Sequence, residues 1–200
     1  MRNQYINLKD LKTFKITDNF ITTDYYGLQM GKNKIVQGDF RGAINDLTKT
    51  LLTRPNDYDC YNMRAIAYSE LNKYDSAIYD FLKCTEIKPS SESFYNLGAA
   101  YFIKNDFNNS IINLNKCISL NPKDTKALYK RALAYYNLRD YKKSLNDYNL
   151  LINLNNSNYD AFYERALVEI QLNMAEKAEK DLKFASDNGV KKATELLKRL

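Results

Sequence analysis

Histidine and tryptophan are both absent from this 200-residue chain. Without histidine the commonest general base and the commonest metal ligand are gone, which argues against an enzyme and against a metal site. Proline appears three times and glycine six, too seldom to interrupt long helices often. No run of about eighteen apolar residues occurs, so no membrane span is expected. The first twenty residues, MRNQYINLKDLKTFKITDNF, carry charges every few positions and lack the unbroken apolar stretch of a secretory signal. Cys60, Cys84 and Cys117 are odd in number and far apart. That fits reduced thiols in a cytoplasmic protein, and no Cys-x-x-Cys pair offers a zinc site.

Hydrophobic residues make up 44% and charged residues 27%, a balance that supports a folded core rather than a disordered chain. Tyrosine is abundant, at seventeen. Its ring packs while its hydroxyl reaches water or a partner.

Self-similarity dominates the rest. RAIAYSELNKYDSAIYDF starts at Arg64, RALAYYNLRDYKKSLNDY at Arg131 and RALVEIQLNMAEKAEKDL at Arg165. FYNLGAAYFIKNDFNNSIINL, from Phe94, fills the gap, and YGLQMGKNKIVQGDFRGAINDL, from Tyr26, is a fainter first copy. Each copy predicts two amphipathic helices. A small residue recurs in the first helix (Gly31, Ala65, Gly98, Ala132, Ala166), where a large one would hold the helices apart. Tyr68, Tyr101 and Tyr135 follow three places on in the middle copies, replaced by Lys34 and Glu169 in the outer two. The second helix pairs a small residue (Ala43, Ala77, Ser110, Ser144, Ala178) with a large apolar one four places later (Leu47, Phe81, Leu114, Tyr148, Leu182). Residues i and i+4 share one helical face. Turn residues separate the two helices, and Pro55, Pro89 and Pro122 end the second helix in the first three copies; Asn155 to Asn158 form a polar turn after the fourth.

This pattern resembles the tetratricopeptide repeat family over residues 24–188. The resemblance implies an all-α, right-handed α-solenoid of about five helix-turn-helix repeats, near 24–57, 58–90, 91–124, 125–158 and 159–188. Residues 189–200 are expected to cap it, with Val190, Ala193, Leu196, Leu197 and Leu200 on one face and lysines opposite. Residues 1–23 lie outside the repeat and form either a short helix or an extended strip.

Arg64, Arg131 and Arg165 each stand sixteen residues before an aspartate: Asp80, Asp147 and Asp181. The third repeat has Leu97 and Asn113 there, so charge is missing from both places together. An ion pair joining the two helices of a repeat is the expectation. Cys84 and Cys117 fill a small-residue place shared with Thr50 and Ala185, which favours packing over nucleophilic chemistry. Gly27–Asn33 faintly resembles a phosphate-binding loop, but its spacing is one residue short and it falls within a helix.

The resemblance further implies that first helices line a concave groove. Mapped onto this chain, that groove row is Tyr25, Asn62, Tyr95, Asn96, Phe102, Lys126, Tyr129, Lys130, Tyr136 and Tyr163. Rings and amides of this kind grip an extended peptide of a partner protein. Some family members hold acidic chaperone tails in a Lys/Asn clamp. Asn96, Lys126 and Lys130 match part of it, whereas Asn62 and Ile66 depart from the rest. Net charge is +4 over 125–158 and −3 over 159–188. The first favours an acidic partner; the second interrupts any basic track and argues against nucleic acid. The leading expectation is a protein–protein interaction scaffold without cofactor, with a nucleic-acid-binding solenoid and a self-assembling scaffold as alternatives.

Overall fold

The computed structural model describes residues 26–199. Its helices are α1 (26–36), α2 (Phe40–Thr53), α3 (Tyr58–Glu70), α4 (Tyr74–Ile87), α5 (Ser91–Ile103), α6 (Phe107–Leu120), α7 (Thr125–Asn137), α8 (Tyr141–Leu154), α9 (Tyr159–Gln171), α10 (Ala175–Asp187) and α11 (Lys191–Leu197). No strand occurs among the described residues. The expectations for residues 1–23, Tyr25 and Leu200 lie outside them. The helices form two lobes: α1–α4 precede Pro89 and α5–α11 follow it. Inside each lobe, helices consecutive in the chain pack on one another.

Two kinds of loop alternate, and local chemistry accounts for both. Turns within a repeat each contain one residue in the left-handed region: Gly38 at φ 78°, Asn72 at 57°, Asn105 at 62°, Arg139 at 60° and Asn173 at 58°. Glycine and asparagine adopt it readily, whereas arginine does not. The residue after it caps the second helix. Asp39, Asp106 and Asp140 accept from the backbone N–H of Gly42, Asn109 and Lys143, while Lys73 and Met174 make no such side-chain bond. Between repeats, α2, α4 and α6 each stop two residues before a proline, because the residue ahead of proline avoids helical geometry. The helix that opens the next repeat is capped by Asp57, Ser90, Asp124 or Asn158.

The small-residue places are steric requirements. A Cβ added to Gly31 would lie 2.6 Å from Leu47 Cγ, and one added to Gly98 would lie 2.9 Å from Leu114 Cγ. Leu47 and Leu114 are wholly buried, so each glycine lets its first helix settle onto the large residue of its second. In the α1–α4 lobe this seam continues into Leu28, Ala43, Leu51, Cys60 and Ala67. In the other lobe, Leu128, Ala132, Tyr148, Leu151 and Val168 form one cluster; Ala166, Ala178, Leu182 and Ala185 form another, which Ala193 of α11 closes. Val190, Leu196 and Leu197 pack against that closure.

All three cysteines are buried and none forms a disulfide among the described residues. Burial, aided by Asp57, pushes the Cys60 thiol up to about 12, and burial also raises Cys117. Both stay protonated near neutral pH. The Gly27–Asn33 stretch lies within α1 and forms no loop. No helix among the described residues is long and apolar enough to cross a membrane.

Candidate functional site

The recurring arginine sets the spacing of the helices that carry the site. Arg131 Nε and Nη2 donate to Asp147 at 2.8 and 2.6 Å, tying α7 to α8. Its Nη1 turns the other way and donates to Asn115 Oδ1 on α6 at 2.7 Å. Arg165 repeats this geometry with Asp181 on α10, at 2.6 and 2.9 Å, and with Asn149 on α8 at 2.8 Å. Arg64 does the same in the other lobe, with Asp80 on α4 at 2.7 Å through two bonds and with Thr48 on α2 at 3.0 Å. Each guanidinium therefore joins three helices: a bidentate grip sixteen residues ahead and a single bond sixteen residues behind. Lys34 and Asp46 form a shorter-reaching pair at 2.7 Å in the first repeat. Leu97 and Asn113 are both buried in the third.

With α7 and α9 each gripped by its arginine, these two helices share a face with α5, α11 lies beside it, and a pocket of about 510 Å³ opens there. Tyr95 comes from α5; Thr125, Lys126, Tyr129 and Lys130 come from α7. Asp160, Tyr163 and Glu164 come from α9, Lys192 from α11, and Asn158 from the loop before α9. The Tyr129 ring stands edge-on to buried Tyr148, with centroids 6.0 Å apart, so the pocket wall is continuous with the core. The Tyr129 hydroxyl lies close to the Glu164 carboxylate. Burial, reinforced by Glu164 and Asp160, pushes the Tyr129 phenol up to about 12.

The charged groups are held apart. Burial lowers Lys130, whose ammonium lies 5.0 Å from the centre of the Phe102 ring. Burial raises the Glu164 carboxyl, and Asp160 adds to that, while Lys192 and the Tyr129 hydroxyl oppose it. Lys126, Lys130, Asp160, Glu164 and Lys192 form no ion pair among the described residues. Their environment leaves both signs available to a ligand.

Of the residues expected in the groove, the pocket gathers Tyr95, Lys126, Tyr129, Lys130 and Tyr163. Phe102 lies to one side, edge-on to Phe107 at 5.4 Å, and Tyr136 stacks similarly on Tyr141 at 5.5 Å. Asn96 is half-buried on α5 outside the lining. Asn62 is only 7% exposed; it is a core amide of α3 rather than a surface one. Tyr25 lies outside the described residues. The sequence reading passed over Asp160, Glu164 and Lys192. The first two stand 34 places after Lys126 and Lys130, at the same positions of the next repeat with the sign reversed. That in-register reversal was the available signal.

A tetratricopeptide repeat model matches residues 58–91, 91–124 and 125–158. The chain belongs to the tetratricopeptide repeat family. Among solved structures it is similar to the MamA protein, at 26% identity and a TM-score of 0.79, over 86% of this chain and 94% of that one. Among curated proteins it is 34% identical over 59 residues to Hsp70-Hsp90 organizing protein 2 of Arabidopsis thaliana, covering 30% of this chain and 10% of that protein. It is 29% identical over 109 residues to heat shock protein STI1 of Saccharomyces cerevisiae, covering 54% and 18%. The chain thus matches less than a fifth of either curated relative's length.

Proposed function

We propose that this tetratricopeptide repeat chain is a cytoplasmic, non-enzymatic adaptor that holds a peptide segment of a partner protein in the pocket of α5, α7, α9 and α11. One observation carries the reading: Tyr95, Tyr129 and Tyr163 converge on a cavity of about 510 Å³ whose charged groups are not neutralised by one another. Rings of this kind supply apolar contact at low entropic cost, and unpaired charges set orientation. The lack of histidine removes the commonest general base, and none of the three cysteines lines the pocket. Micromolar affinity, roughly −8 kcal/mol, suits one such pocket.

The chaperone-tail version is the weaker one. Asn62 is buried, Ile66 departs from the clamp, and Asp160 and Glu164 would repel a tail made only of acids. The same carboxylates count against a phosphate backbone. Affinity purification with the wild type and with a Lys126→Ala, Tyr129→Ala, Lys130→Ala variant tests the proposal, with circular dichroism to verify the variant's helicity. Proteins retained by the wild type and lost from the variant are the expected result. Equal retention by both would move the site elsewhere.

A further inference from the structure

We infer that the segment held between α7 and α9 carries a carboxylate and a basic side chain about three residues apart, rather than charges of one sign. The inference rests on the peptide-binding reading of this pocket and adds the chemistry of its partner.

The two walls carry opposite signs at equivalent repeat positions: Lys126 and Lys130 on α7, Asp160 and Glu164 on α9. A uniformly acidic segment gains from the first wall and is repelled by the second, and a uniformly basic one meets the reverse. Only a ligand of mixed sign satisfies both, which is discrimination by repulsion as much as by attraction. The half-buried Lys130 ammonium rests against the Phe102 ring without a carboxylate partner among the described residues. Half-buried Glu164 forms no ion pair among the described residues, and the Lys192 charge opposes its burial only from across the pocket. Each is desolvated without being neutralised, so a counter-charge brought by a ligand recovers interaction energy that water does not supply. A cavity of this volume is on the order of 8–10 Å across, and an extended chain rises about 3.3 Å per residue, which sets the separation.

Fluorescence anisotropy with four labelled eight-residue peptides tests this. The peptides share one Tyr- and Leu-bearing frame; they carry Glu and Arg three positions apart, two Glu, two Arg, or no charge. The mixed peptide is expected to bind the wild type roughly tenfold tighter than the other three. Glu164→Gln should weaken the mixed peptide and strengthen the two-Glu peptide, and Lys130→Gln should do the converse for the two-Arg peptide. Asp160→Asn and Lys126→Gln, at exposed positions, repeat the comparison without touching buried groups. Equal or tighter binding of the two-Glu peptide, unaffected by Glu164→Gln and Asp160→Asn, would overturn the inference and leave peptide binding intact. If no peptide binds, or if binding survives the triple alanine variant, the peptide-binding reading falls and takes the inference with it.

Discussion

Several buried polar groups mark places where this chain departs from its own repeat. Tyr148 stands where other repeats place Leu or Phe; it is 1% exposed, and its hydroxyl has no hydrogen-bond partner among the described residues. An unpaired buried hydroxyl opposes folding, whereas its ring contributes to the core. Tyr148→Phe should therefore raise stability by about 1 kcal/mol in urea unfolding; a loss would mean that the hydroxyl is satisfied. Arg139 holds a backbone conformation that its counterparts leave to Asn or Gly. Arg139→Gly should be stabilising by up to about 1 kcal/mol, and Asn105→Gly by less. Both side chains are exposed, so a change in thermal midpoint reports backbone geometry alone.

At the scale of the helix pair, the arginine that joins three elements makes a double-mutant cycle informative. Removing Arg131 strands the charge of Asp147, which is 3% exposed, whereas the double change leaves no buried charge and only a neutral amide there. Arg131→Leu should cost about 3 kcal/mol, and adding Asp147→Asn should recover a clear part of it; equal losses from the single and double changes would exclude this coupling. The glycine seams are less forgiving. Gly98→Val forces α5 away from Leu114 and should cost about 3 kcal/mol, measured by chemical unfolding. Sequence periodicity made these elements legible, because the small-to-large pairing and the sixteen-residue Arg–Asp spacing are properties of one repeat. The backward bonds to Thr48, Asn115 and Asn149 were not legible. They depend on which residue of the preceding hairpin faces the guanidinium, and Thr and Asn at an exposed helical place look like ordinary surface.

At the scale of the molecule, three carboxyls among the described residues lie above their usual range, each mainly through burial: Asp80, Glu164 and Glu169. Glu169 also leaves Oε2 without a hydrogen-bond partner among the described residues, at the place where the middle repeats carry tyrosine. A raised carboxyl binds protons more tightly in the folded state than in the unfolded one. Its ionisation therefore costs stability as pH rises from the ordinary carboxylate range toward the folded value. The thermal midpoint should accordingly be higher near pH 5 than near pH 7, and Glu164→Gln with Glu169→Gln should flatten that slope; a midpoint that falls on acidification to about pH 5 would contradict it. Capture of a basic side chain by Glu164 should weaken on acidification through the same window, as the carboxylate takes up its proton. Five of the pocket residues were legible from their place in the repeat, because a repeat position fixes which way a side chain faces. The other half of the pocket escaped that logic, since family resemblance directed attention to residues that match a known clamp, whereas Asp160 and Glu164 matter by contradicting it.

The reach of Arg64, Arg131 and Arg165 in both directions along the chain has a genetic corollary. A duplication or deletion of one whole 34-residue block hands each guanidinium an equivalent pair of neighbours, so the array tolerates changes in copy number. An insertion of a few residues inside a block displaces one grip and spares the other, leaving a cation with half its anchorage. Descendants of this chain should therefore differ in length by complete blocks, with shorter indels confined to the loops between hairpins.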